Sequence, residues 1–245
     1  MRVAIYNSMY SLNGKSFWSS IVGHWAVHYQ CSVKEIWKRT DINRTIEILK
    51  KSNADIVGIC EILEGQEEEL KKKLRAIGYG YIFFGNGHKT KFNRLRIKVV
   101  VASKIKCTKK EINGFPTKNE LGGGGGVICC YFPTSKLNVL CVHFAILQNK
   151  ELYLKQINFL QNHIKRLKER IVLLGDFNND HNKIKDYFDD LKLASDGNKT
   201  CSLTPIFRII HFKDDDHIFV RNLEIKHTAC LEGFSDHKLL YADLM

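Results

Sequence analysis

Polar residues able to do chemistry recur in this sequence at one kind of place, the end of an apolar run. Asn7 closes RVAIYN, Glu61 follows DIVGIC, His143 follows NVLCV, and Asp176 with Asn178 comes after IVLLG. Asp216 stands immediately before HIFV, and Asp236-His237 before KLLYA. Such runs read as strands buried on both faces, and open α/β sheets present ligands at strand ends. Oxygen donors without cysteine partners are ligands for a hard cation, Mg2+ or Mn2+. Histidines beside carboxylates serve proton transfer or stabilise transition-state charge. A hard metal with acid–base groups is the equipment of phosphate ester hydrolysis. Calcium fits less well. Asp176, Asn178 and Asp180 begin like an EF-hand loop, but His181 replaces its glycine and Tyr187 its bidentate glutamate.

The elements that must position these groups alternate between strand and helix. Strands are predicted over Arg2–Asn7, Asp55–Cys60, Tyr79–Phe84, Lys98–Ser103, Ile171–Asp176, His217–Val220 and Lys238–Ala242. Val127–Phe132 and Asn138–Val142 form a hairpin across PTSK. Thr40 caps a helix over Asp41–Lys51, with Ile42, Ile46 and Leu49 inward. A second helix covers Glu64–Ile77, where Glu67, Glu68 and Glu69 are placed to pair with Lys71, Lys72 and Lys73 four residues on. A third, Glu151–Lys168, turns Leu154, Ile157, Leu160, Ile164 and Leu167 to one side and connects two strands as a crossover helix does. Ile184, Phe188 and Leu191 indicate a short helix. Trp18, Val22, Trp25 and Tyr29 mark one helical face in a stretch without Lys, Arg, Asp or Glu. That face either packs on the core or offers aromatic rings to bases or lipid. The five glycines of Leu121–Gly126 read as a mobile loop, and no Gly-Lys-Ser/Thr follows to make a phosphate loop.

At 245 residues the chain is long enough for one large α/β core, and residues 1–245 are read as one domain. Arg2 runs straight into VAIY, unlike a secretory leader, and no apolar run is long enough to span a bilayer. The eight cysteines include no C-x-x-C pair, so they are expected to be buried free thiols of a cytoplasmic, intracellular protein. Net charge is +12, and the window between Glu69 and Glu111 holds thirteen Lys and Arg with no acid. Such a field suits a polyphosphate partner. Within it the polar loop GNGHKTKFNRLR supplies Lys89, Lys91, Asn93, Arg94 and Arg96 as candidate phosphate or nucleic-acid contacts.

The ordered segments VAIYN, NADIVGICE, LCVHFA, GDFN, DDHIFV and SDHKLL resemble the endonuclease/exonuclease/phosphatase superfamily. That group includes deoxyribonuclease I, exonuclease III-type repair nucleases, neutral sphingomyelinases, inositol polyphosphate 5-phosphatases and tyrosyl-DNA phosphodiesterases. The resemblance runs from residue 3 to residue 240. It implies an α/β fold of two mixed β-sheets packed face to face and flanked by helices, a four-layer sandwich. It also implies roles. Glu61 would be the main metal ligand, with Asn7 hydrogen-bonding in the same shell and Asp236 near the metal or at a second metal position. Asp176 would orient or deprotonate the attacking water, and Asn178 would hold the water or the phosphate. His237, held by Asp216, and His143 would sit against the phosphate. Three departures stand out: Tyr6 where repair nucleases carry Trp, Cys60 where most members carry Gln, and Ile62-Leu63-Glu64 where repair endonucleases carry a Lys. They turn the reading away from abasic-site cleavage.

The expected function is a Mg2+- or Mn2+-dependent phosphodiesterase, a monomer acting on nucleic acid and chiefly DNA. The alternatives are a phosphatase or phospholipase C-type hydrolase of a lipid or inositol phosphate, with contact to a membrane surface, and a binding module without catalysis.

Overall fold

The computed structural model describes residues 1–11, 40–85, 87–89, 95–118, 123–195, 197–201 and 213–245. The aromatic stretch with Trp18 and Trp25, together with Cys31, Lys91, Asn93 and Arg94, lies outside the described residues. Among those described, the elements in chain order are β1 (Arg2–Asn7), α1 (Ile42–Ser52), β2 (Ile56–Leu63), α2 (Glu67–Ala76), β3 (Tyr81–Phe84), β4 (Ile97–Ser103), β5 (Thr108–Lys110) and β6 (Gly126–Phe132). They continue with β7 (Leu137–His143), α3 (Lys150–Lys165), β8 (Arg170–Asp176), α4 (His181–Ile184), β9 (Lys192–Leu193), β10 (Asp216–Arg221), β11 (Ile225–Leu231) and β12 (Leu239–Leu244).

The strands form two mixed six-stranded sheets, ordered β11-β12-β1-β2-β4-β3 and β5-β6-β7-β8-β10-β9. One strand pair in each sheet is parallel, β1 with β2 and β7 with β8; the rest are antiparallel. Because side chains alternate along a strand, each strand feeds two cores. Val3 and Ile5 of β1 meet Val172 and Leu174 of β8 between the sheets. Ala4 and Tyr6 face outward, onto Ile48 and Leu49 of α1 and Leu70 and Leu74 of α2. Leu140 and Leu173 face outward from the second sheet onto Ile157 and Leu160 of α3. The result is the four-layer α/β sandwich. Each Val, Leu or Ile side chain so buried contributes about 1.5–3 kcal/mol. Gly58 marks a close approach of the two sheets: a Cβ there would lie 2.1 Å from Leu174 Cδ1 and 2.9 Å from Cys141 Sγ. No helix among the described residues is long and apolar enough to cross a membrane.

Several local expectations are corrected. Asp41, not Thr40, caps α1, its carboxylate accepting from Asn43 N–H at 3.1 Å. Ile46 is only partly buried, and Ile48 lies inside instead. In α2 the glutamates do not all pair four residues on. Glu67 reaches across to Lys98 of β4, Glu68 takes Lys71 at i+3, and Glu69 takes Lys73 at i+4. In α3 Leu154 is partly exposed, and Tyr153 and Gln156 turn inward. The described glycines of the run, 123–126, are not a loose loop: they are buried, and Gly126 opens β6. Cys201 and Cys230 are partly exposed, whereas Cys60, Cys107, Cys129, Cys130 and Cys141 are buried; all seven are free thiols.

Candidate active site

Strand register builds the site. At one end of the second sheet, Asp176 of β8 pairs with His143 of β7 on one side and with Asp216 of β10 on the other. In the first sheet Asn7 pairs with Cys60, placing Asn7 beside Glu61. The two rows meet across the sandwich, where Asn7 Nδ2 donates to Asp176 Oδ2 at 2.8 Å. Asp236 and His237 enter from the loop before β12. Ser235 secures that loop by donating its hydroxyl to Asn7 O at 2.7 Å. Tyr6 OH accepts the N–H groups of Phe234 and Ser235, each at 3.0 Å.

Backbone strain collects here. Glu61 sits in a bulge of β2 at φ 60°, Asn178 at 49°, and Met9, Tyr10 and Ser11 at 45°, 59° and 55°. Each such residue costs on the order of 1–3 kcal/mol and persists only where its surroundings over-determine it.

The polar groups form one network. His237 Nδ1 donates to Asp216 Oδ2 at 2.6 Å, while its Nε2 lies 3.9 Å from Asp176 Oδ2. His143 Nε2 lies 3.6 Å from Glu61 Oε1 and 3.7 Å from Asp176 Oδ2. Asp176 Oδ1 accepts from Asn178 N–H at 2.9 Å, and Asn178 Nδ2 donates to Phe144 O at 3.0 Å. Asn7 Oδ1 accepts from Met9 N–H, so this amide serves the site through its nitrogen.

The electrostatics follow from burial. For Glu61 burial, then Asp236 and Asp176, push the carboxyl up to about 8, against the weaker pull of His237 and Asn7. Burial and Asp176 likewise push Asp215 up to about 7. Burial works against charge on His237, but Asp216 with Cys201 and Asp236 overrides it and holds the ring well above the usual histidine range. For His143 burial wins over Asp176 and lowers it to about 4, so it is neutral at pH 7. A buried carboxylate crowded by others, as Glu61 is by Asp236 and Asp176, fits a hard divalent cation. Asp176, Asp216 and His237 have ligand atoms within 4.8 Å of one another.

Asn7, Glu61, His143, Asp176, Asn178, Asp216, Asp236 and His237 are thus drawn from both sheets into one polar cluster. The described basic residues are less concentrated. Lys89 bridges to Arg96, whose guanidinium donates to Gly87 O at 3.4 Å. Lys71, Lys73 and Lys98 of the basic window are tied to the α2 glutamates. Sequence reasoning missed other neighbours. Thr200 Oγ1 accepts from Asp216 N–H at 3.1 Å. Tyr10 lies within the field of Glu61, Asp236 and Asp176. Gln156 accepts from Ala145 N–H at 2.7 Å and donates to Gly123 O at 3.3 Å, so α3 braces the segment after His143. Only Asp215 carried a signal, as the middle of three consecutive aspartates.

A model of the Endonuclease/Exonuclease/phosphatase family matches residues 32–237. No curated protein matches the chain. Among solved structures, D. rerio TDP2 humanized by 14 mutations superposes with a TM-score of 0.67 at 16% identity, covering 100% of this chain and 98% of that one. D. rerio TDP2 complexed with a single-strand DNA product gives 0.65 at 16%, covering 100% and 98%. The mannosyl-6-phosphatase Bt3783 of Bacteroides thetaiotaomicron VPI-5482 gives 0.66 at 16%, covering 100% and 99%.

Proposed function

The chain belongs to the endonuclease/exonuclease/phosphatase family, a family of phosphoester hydrolases, and from that premise we propose that it is a Mg2+- or Mn2+-dependent phosphodiesterase of nucleic acid, chiefly DNA. The observation that carries the reading is the convergence of Asp176 with one charged and one neutral histidine beside Glu61. The net charge of +12 favours a polyanionic substrate, and a structural neighbour holds a DNA product.

Glu61 and Asp236 would hold the cation, with Asn7 orienting the carboxylates through its amide nitrogen. Bound there, a hard divalent ion supplies Lewis-acid polarisation of the phosphate. Asp176, fixed by Asn7 and by the Asn178 N–H, orients the attacking water and takes its proton. Asn178 spends its amide nitrogen on Phe144 O and offers its carbonyl oxygen to that water. His237, kept protonated by Asp216, offsets charge growing on the equatorial phosphate oxygens, and His143 adds a neutral ring N–H donor. Lys89, Lys91, Asn93, Arg94 and Arg96 are proposed to meet the flanking phosphates.

A substrate panel tests this reading: duplex and single-stranded DNA, RNA, a 5′-tyrosyl adduct, an inositol phosphate, a hexose 6-phosphate and sphingomyelin, each with Mg2+ and with Mn2+. DNA cleavage that EDTA and Glu61→Ala both abolish, in a variant that keeps the wild-type melting transition, is the expected result. Phosphate release from a sugar or inositol phosphate without DNA cleavage would move the protein to the phosphatase reading. Choline-phosphate release would move it to the lipid one. No turnover of any substrate by metal-loaded protein would leave a binding module.

A further inference from the structure

Cys201 takes no part in the proposed hydrolysis, yet it lies against the imidazole of His237. Its backbone is pinned on both sides: Cys201 pairs in register with Lys213 and also with His237. Cys201 N–H donates to Lys213 O at 2.9 Å, Lys213 N–H returns to Cys201 O at 3.2 Å, and Lys238 N–H donates to Thr200 O at 2.7 Å. Laterally paired residues present their side chains next to each other, and here the sulfur of Cys201, a carboxylate oxygen of Asp236 and a ring nitrogen of His237 all lie within 4.8 Å of one another. Cys201 and Asp236 are partly open to solvent, so the group can be reached from outside.

The geometry points to an inhibitory metal site formed by Cys201, Asp236 and His237, which takes a thiophilic divalent ion of the Zn2+ class. Ligands of a tetrahedral zinc stand about 3.4–3.6 Å apart, so a group whose atoms lie within 4.8 Å closes on an ion with side-chain shifts of roughly 1 Å. One sulfur, one nitrogen and one oxygen leave the fourth tetrahedral position for water. The ligating nitrogen is Nε2, because Nδ1 is bonded to Asp216 at 2.6 Å. A carboxylate behind the imidazole is the usual partner of a metal-bound histidine. The thiolate gives this site a preference opposite to that of the oxygen donors around Glu61: it favours Zn2+ and discriminates against Mg2+. On binding, the thiol and the imidazolium each release a proton to solvent. Inhibition has two causes. A metal-bound His237 is no longer a cation facing phosphate, and Asp236 is drawn away from the hard-ion ligands. Only the inhibition rests on the proposed hydrolase function; the binding does not.

Metal-free wild-type protein and Cys201→Ser are titrated with Co2+ alone and then with Zn2+ alone. Circular dichroism and thermal melting establish that the variant is folded. Wild type is expected to develop a near-ultraviolet thiolate-to-cobalt charge-transfer band, which Zn2+ abolishes. Cys201→Ser is expected to lack the band and to bind Zn2+ at least about 100-fold more weakly, since loss of an outer-shell partner alone costs about 10–100-fold and Cys201 is a direct ligand. The Zn2+ concentration that half-inhibits Mg2+-supported turnover should rise by the same factor. Absence of the band in wild type at saturating Co2+, or an undiminished band and Zn2+ affinity in Cys201→Ser, overturns the site. If the band behaves as expected while no substrate is turned over, the metal site stands and the hydrolase reading falls. If turnover is intact and the band absent, the reverse holds.

Discussion

Two histidines face Asp176 from opposite sides, and burial alone would make both neutral. The main difference between them is the carboxylate of Asp216, to whose pull on His237 Cys201 and Asp236 add. Asp216 lies 2.6 Å from His237 Nδ1, whereas His143 Nδ1 is buried with no hydrogen-bond partner among the described residues. His237 is therefore held protonated, and His143 is not. Replacing Asp216 by Asn keeps the shape and removes the charge. We expect kcat to fall by about 10²–10³, the scale of losing one transition-state electrostatic partner, with KM changed less. The sign of the pH effect is fixed: without the carboxylate His237 releases its proton at lower pH, so the alkaline limb of the kcat profile moves to lower pH. A pH–rate comparison of Asp216→Asn with wild type checks this, and an unmoved limb would remove His237 as the charged partner.

At the scale of elements, the register of β7, β8 and β10 sets His143, Asp176 and Asp216 side by side. The glycine run sets the height of the first. Gly125 N–H donates to His143 O at 3.0 Å, and a Cβ on Gly125 would lie 2.3 Å from His143 Nδ1. The imidazole thus fills the space a side chain would need. Gly125→Ala should cost about 1–3 kcal/mol, as overpacking does, and should lower kcat further than the loss of folded protein explains. Thermal melting read beside kcat separates the two effects; full activity per folded molecule would show that the glycine does not position His143. Other elements were less legible. The edge strand β11, IKHTACL, keeps its residues half or fully exposed and so lacks the alternating apolar signal. β5 and β9 have three and two residues, too few to carry a period.

Over the whole molecule, the site crowds carboxylates whose mutual repulsion a cation would relieve. Glu61 at about 8 and His237 well above 6.5 both hold protons in the folded state that the unfolded chain has released, and so does Asp215, up to about 7. Raised folded values mean stability that is present at low pH and lost as pH rises. His143, lowered from 6.5 to about 4, acts in the opposite direction, but only below 6.5. Between about 6.5 and 8 the chelated protein should therefore melt at progressively lower temperature, by at most about 2 kcal/mol from Glu61. Mg2+ should restore more of the loss at the upper end of that range, where the Glu61 proton no longer competes. Melting curves in EDTA and in Mg2+ across this window check it; a flat or rising trend in EDTA would contradict the crowding of carboxylates around Glu61.

The sequence by itself determined the apolar strands, though not the edge strands β5, β9 and β11, and the polar residues that interrupt or end them, because both are local. A doubly buried run such as IVLLG shows as a block of apolar residues, and Asp176, Glu61 or His237 shows as a polar break in one. It also carried the crossover between β7 and β8, since α3 has helical spacing. Tertiary structure alone decided what those residues are to one another. The bond from Asn7 to Asp176 spans 169 positions. The opposite charge states of His143 and His237 depend on which carboxylate each one faces. The packing of Gly125 under His143 and of Cys201 against His237 has no local signature. Burial and distance across two sheets set proton affinity and ligand geometry, and neither quantity is written in the spacing of residues along a chain.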